Sequence, residues 1–184
     1  MTLGTQSFEV LVDTGSADLW VLGGGWQCTR EKTHLRSDCE FGDQVYTTSN
    51  STTYSPVNYA WLGEHYGDGD VIGPLATERL KLSNITVADQ IFGIIDSSTT
   101  VEDRINTGLM GLGYPILAQA HPSNYTAISS AALLQQRLSY DTVFCHMIER
   151  GVAPYFSLTL DRMPRDQETG AGEFDNQPLV YWQG

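Results

Sequence analysis

The chain has 184 residues, 41% of them apolar and 18 of them glycine, which suits one domain with a sizeable core in a loop-rich β protein. Ten basic residues against 22 acidic ones leave a net charge of −12, and that sign argues against a nucleic-acid or membrane-surface role. No stretch reads as a transmembrane span.

Met1-Thr2-Leu3-Gly4 has neither the basic region nor the apolar run of a signal peptide. From Phe8 to Val12 apolar and other residues alternate as in a half-buried strand, and Leu19 to Leu22 resume strand character. Between them Asp13 lies at the tip of a strand-loop-strand, at the edge of a core. Gly15 permits a tight turn there. Its amide and the hydroxyls of Thr14 and Ser16 are available to the carboxylate, and such donors favour the ionised form. No second Asp-Thr-Gly or Asp-Ser-Gly follows Ser16, and no other aspartate is read as having a comparable apolar setting.

Cys28 and Cys39 bracket a polar loop and would close a short disulfide in an oxidising compartment, leaving Cys145 as a buried thiol in an apolar helical segment. Asn50, Asn84 and Asn124 each begin a glycosylation acceptor triplet beside turn signals. Three such triplets beside a loop disulfide favour secretion.

Ser49 to Pro56 is a turn-forming cluster. Val57–Tyr66 and Val71–Leu82 then flank Gly67-Asp68-Gly69-Asp70, which predicts a long hairpin. An anionic Asp68 at its tip has the reach to meet a cationic group, though Asp68 and Asp70 also serve as plain turn formers. Asn84 to Ile95 reads as two strand pieces around Ala88-Asp89-Gln90. In Thr107-Gly108-Leu109-Met110-Gly111 the apolar pair and glycine let a strand pass close behind another backbone. Ser129–Leu138 and Thr142–Arg150 are short helical patterns, the second capped by Asp141 and stopped by Gly151, and Tyr155–Leu160 alternates as a strand. The four histidines lack metal-ligand spacing, and no Gly-x-Ser-x-Gly element is present.

Asp13-Thr14-Gly15-Ser16, flanked by apolar strands and followed by Leu19-Trp20-Val21, resembles the active-site loop of the N-terminal lobe of a pepsin-like aspartic protease of fungal type. Tyr66-Gly67-Asp68-Gly69 resembles that family's flap, and Leu109-Met110-Gly111 its apolar-apolar-glycine element, with Thr107 where the family usually has Asp. The resemblance covers roughly residues 4 to 174. It implies an all-β lobe of folded sheets with a flap hairpin and two short helices.

It further implies Asp13 as catalytic residue, Thr14, Gly15 and Ser16 as its support, and Tyr66, Gly67, Asp68, Trp20, Leu11 and Leu109 as flap and substrate-binding residues. Tyr66 would be hydrogen-bonded to Trp20. The expected function is an aspartic-type endopeptidase without cofactor or metal, acting on peptide or protein substrates, extracellular or vacuolar. Residues 1–184 would be one N-terminal lobe truncated at both ends. The second catalytic aspartate would then come from an absent C-terminal lobe. The alternatives are a homodimer of retroviral type, in which a second copy supplies the partner aspartate, and a non-catalytic binding or inhibitor module on the same fold.

Overall fold

The structure, a computed structural model, describes residues 1–30, 39–67, 69–100, 102–122 and 136–155. Short strands β1 (Thr2–Leu3) and β2 (Gln6–Ser7) turn about Gly4, whose φ of +60° is a left-handed conformation that glycine adopts without strain. Then come β3 (Leu11–Asp13), β4 (Leu19–Cys28), β5 (Ser55–Tyr66), β6 (Gly69–Leu82), β7 (Ile85–Ser98), β8 (Gly108–Gly111), β9 (Ala120–Pro122) and α1 (Val143–Glu149). The strands join in one sheet ordered β2-β1-β6-β7-β4-β8-β3, with β5 on β6 and β9 on β5.

β4 is the spine of this sheet because it is apolar on both faces. Leu19 and Val21 face one core with Phe8, Tyr46, Phe92 and Met110, while Trp20 and Leu22 face a second with Trp26, Phe41, Leu62 and Ile95. A strand buried on both sides needs a continuous apolar run rather than strict alternation, and Leu19-Trp20-Val21-Leu22 supplies it. Each of these side chains contributes about 2–3 kcal/mol by burial.

Several expectations are corrected. The first strand is shorter than the alternation suggests, because Phe8 to Val10 stand outside the ladder. Phe8 donates its amide to the Met1 carbonyl, and the Glu9 carbonyl accepts from the Thr107 amide at 3.0 Å. Ile85–Ser98 is one continuous strand, not two pieces. Its Ala88-Asp89-Gln90 is absorbed as a one-residue slip against β6, between the pairs Glu78↔Gln90 and Leu80↔Val87. α1 is capped by Thr142, not Asp141: the Thr142 hydroxyl accepts from the Cys145 amide at 3.5 Å. Gly151, at φ +84°, follows its last turn. Cys145 is a free thiol but half-buried, not buried.

One α-helix is present among the described residues. Of the other expected helix, Ser129–Leu138, residues 129–135 lie outside the described residues and 136–138 carry no regular structure. The expected strand Tyr155–Leu160 lies outside them beyond Tyr155, as do Asp68 and Asn124. Among the described residues no helix is long and apolar enough to cross a membrane.

Candidate active site

β3 and β4 are consecutive in sequence but do not pair with each other. β8 lies between them, parallel to β3 (Leu11↔Leu109, Asp13↔Gly111) and antiparallel to β4 (Leu19↔Met110, Trp20↔Leu109). The connection from Asp13 to Asp18 must therefore arch over the C-terminal end of β8. Three consecutive amides hold it there: Gly111 donates to the Asp18 carbonyl at 2.9 Å, Leu112 to Asp13 at 2.7 Å and Gly113 to Ser16 at 2.8 Å. A Cβ on Gly111 would stand 2.6 Å from the Ser16 carbonyl oxygen and the Ala17 carbonyl carbon, so only glycine permits this approach.

Within this arch the Asp13 carboxylate is half-buried and accepts two hydrogen bonds. The Gly15 amide donates to Oδ1 at 2.9 Å and the Ser16 hydroxyl to Oδ2 at 2.6 Å. Thr14 is exposed. Both oxygens keep lone pairs for a further partner, so a carboxylate fixed in orientation faces outward from a rigid loop.

The β5–β6 hairpin reaches the same region from the other side. It is in register from Trp61↔Pro74 to Tyr66↔Gly69, ending at exposed Gly67. Where β5 meets the turn the Tyr66 hydroxyl accepts from the Trp20 indole N–H at 2.8 Å, and the rings lie 6.4 Å apart at 50°. Trp20 itself is fully buried, with Phe41 edge-on at 6.2 Å. Burial first, then the charge of Glu64, drives the Tyr66 phenol pKa far up, so it stays a neutral hydroxyl. Near the tip, His65 Nδ1 meets Asp70 Oδ1 across the two strands on the exposed face.

Of the two leucines assigned to this region, Leu11 is 38% exposed and Leu109 only 4%. Leu109 packs in the core that holds Trp20. Cys28 and Cys39 are bridged, with Cα atoms 5.9 Å apart. Asn50 and Asn84 are both exposed, the first ending a 3-10 turn at Thr48–Asn50 and the second in the tight β6–β7 connection.

The sequence reading missed a second acidic feature. Asp18 is fully buried, deeper than Asp13, which corrects the expectation that no other aspartate has an apolar setting. It accepts from the Gln119 amide at 2.8 Å and from the Tyr140 hydroxyl, and it acts on the buried Glu64 of β5, whose carboxyl pKa burial first and then Asp18 push up. The signal was available in the phase of β5: Ala60, Leu62, Glu64 and Tyr66 occupy alternate positions, and one of these inward positions is acidic. Among the described residues no group of three or more His, Cys, Asp or Glu is arranged to hold a metal ion.

The family model for eukaryotic aspartyl protease matches residues 1–176. The chain is 35% identical over 167 residues to a protein of Aspergillus fumigatus named a probable aspartic-type endopeptidase, covering 88% of this chain and 35% of that protein. It is 35% identical over 124 residues to major aspartyl peptidase 1 of Cryptococcus neoformans, covering 65% of this chain and 23% of that one. It is 29% identical to mucorpepsin of Rhizomucor miehei over 97% of this chain and 39% of that one. The chain thus spans between about a quarter and two fifths of the length of these relatives.

Proposed function

The chain belongs to the eukaryotic aspartyl protease family, and we propose that it supplies one of the two catalytic carboxyls of an aspartic-type endopeptidase, Asp13. The observation that carries this reading is the carboxylate itself, held by Gly15 and Ser16 in an arch that three amides of the β8 end lock in place. Peptide hydrolysis by this chemistry uses a pair of carboxyls that share one proton around a water. The ionised one acts as general base and the other polarises the scissile carbonyl. Asp13 supplies one member, and Ser16 and Gly15 fix its orientation. The second comes from a C-terminal lobe outside these 184 residues or from a second copy.

In this reading the β5–β6 hairpin is the flap, and residues 66–69 close over a bound peptide. The Trp20–Tyr66 hydrogen bond ties the turn end of this hairpin to β4. Leu11 belongs to the exposed cleft side, whereas Leu109 supports Trp20 from within. Asp68 would meet a cationic substrate residue, so Asp68→Ser selectively lowers cleavage after lysine. The bridged Cys28–Cys39 pair and exposed acceptors at Asn50 and Asn84 support export or vacuolar delivery of a glycosylated protein. Chain made in a eukaryotic secretory host should lose mass on enzymatic removal of N-linked glycans, and an unchanged mass would count against this.

Acid proteolysis of a model peptide tests the function. The chain is measured alone as a monomer, at concentrations where it self-associates, and with the complementary lobe of a relative. Activity is expected only where a second carboxyl is supplied, with inhibition by statine-type peptides and a drop of at least about 10²- to 10⁴-fold on Asp13→Asn. Proteolysis by a monomer that survives Asp13→Asn would place the chemistry elsewhere.

A further inference from the structure

We propose that Glu64 is a positioning residue, donating its carboxyl proton in a hydrogen bond to Asp18 and so fastening the turn end of the β5–β6 hairpin to the loop that carries Asp13. Its catalytic consequence rests on the reading of Asp13 as a catalytic residue; the fastening itself does not.

The geometry is a ladder of two rungs. Asp18 and Trp20 stand two residues apart where the loop enters β4, and Glu64 and Tyr66 stand two apart where β5 nears the hairpin tip. One rung is the Trp20 Nε1–H to Tyr66 hydroxyl bond at 2.8 Å, and the other is the proposed bond from Glu64 to Asp18, two buried carboxyls that act on each other. Glu64 is 7% exposed and Asp18 0%. Asp18 already accepts from the Gln119 amide at 2.8 Å and from the Tyr140 hydroxyl, so Asp18 is the acceptor and Glu64 the donor.

The other Glu64 oxygen, Oε2, is buried with no hydrogen-bond partner among the described residues. An unpaired oxygen on a neutral carboxyl costs far less than one on a carboxylate. The groups facing Glu64 agree with a retained proton. Asp18 and Asp13 come from the loop and Tyr66 from the same strand, with Tyr140 and Arg137 on the segment 136–142. Burial, the bond with Asp18 and the charges of Asp18 and Asp13 all raise the Glu64 pKa well above 4.5, and only Arg137 opposes them. Two carboxylates cannot share one dry site. Once Glu64 loses its proton the rung becomes a repulsion, and the Trp20–Tyr66 bond alone holds the turn end of the hairpin.

Amide hydrogen exchange of the full chain, corrected for intrinsic exchange and compared at about pH 5 and about pH 9, reads this directly. In the wild type, protection of residues 60–74 should fall at least about tenfold at the higher pH relative to residues 19–22 of β4. Glu64→Gln keeps a donor to Asp18 that does not ionise, so protection should be high at both pH values. Glu64→Ala should lose it at both. If that variant does not fold, the wild type and Glu64→Gln still decide. Equal wild-type protection at the two pH values, or the same fall in Glu64→Gln, would overturn the proposal. The measurement involves no proteolysis. A chain that shows this pattern but stays inactive when a second carboxyl is supplied refutes the proposed function and keeps the inference, and a chain that is active with that carboxyl but lacks the pattern does the reverse.

Discussion

Asp13 and Asp18 lie five residues apart in one loop and have opposite surroundings. Asp13 is half-buried with two short-range donors, while Asp18 is sealed under Gln119, Tyr140 and Glu64. The difference follows from the arch: its ascending limb leaves β3 toward the surface, and its descending limb re-enters the core ahead of Trp20. At this scale the hydrogen bond between Trp20 and Tyr66 gives a clean test. Tyr66→Phe deletes the acceptor and leaves an indole N–H buried and unpaired, so stability should fall by about 1–2 kcal/mol in urea unfolding. A neutral result would mean that the indole finds another partner. The motif residues around Asp13 were legible from local sequence because turn chemistry is local. Glu64 was not, because its meaning depends on which face of β5 turns inward, and Asp18 lies 46 positions away.

The elements were legible where local pattern and tertiary demand coincide. The β5–β6 hairpin has alternating strands and a glycine turn, and it forms as that pattern suggests. Gly111 was flagged for close approach, and the Ser16 carbonyl is what it approaches. β7 misled because Ala88-Asp89-Gln90 is polar enough to look like a turn, yet β6 carries the ladder across it, pairing with Val87 on one side and Gln90 on the other. β9 escaped notice altogether; three residues are too few for a period, and only pairing with β5 makes them a strand. For α1, Asp141 and Thr142 are both good capping residues, and backbone geometry chose the second. Thr142→Ala should therefore cost about 1 kcal/mol, measured by chemical unfolding, because it also removes a hydroxyl that donates to the Gly113 carbonyl at 3.3 Å. Asp141→Ala should cost less. The Cys28–Cys39 bridge closes a loop with a sequence separation of 11, so reduction should destabilise the chain by ~3 kcal/mol through the unfolded state.

Across the whole molecule, two buried glutamates oppose each other in their response to pH. Glu78 is buried, which alone would raise its pKa, but the hydroxyls of Ser51, Thr53 and Tyr46 and the Arg79 amide all donate to it and hold it below 4.5. A lowered folded-state pKa gives stability that is present above 4.5 and lost as pH falls through the folded value. Glu64 has the opposite sign: raised by burial and by Asp18, it contributes fully below 4.5 and loses that contribution as pH rises toward its folded value. One proton of difference gives a slope of up to about 1.4 kcal/mol per pH unit within that window. The net charge of −12 adds to the alkaline limb, since the compact state concentrates the repulsion. The unfolding midpoint should therefore peak in mild acid, close to pH 4.5, and fall on both sides. Glu64→Gln should flatten the alkaline limb and leave the acid one, and Glu78→Gln should do the converse at the cost of a lower maximum. A midpoint highest at neutral pH, with a Glu64→Gln curve parallel to the wild type, would show that Glu64 is ionised in the folded chain and that net charge alone shapes the profile.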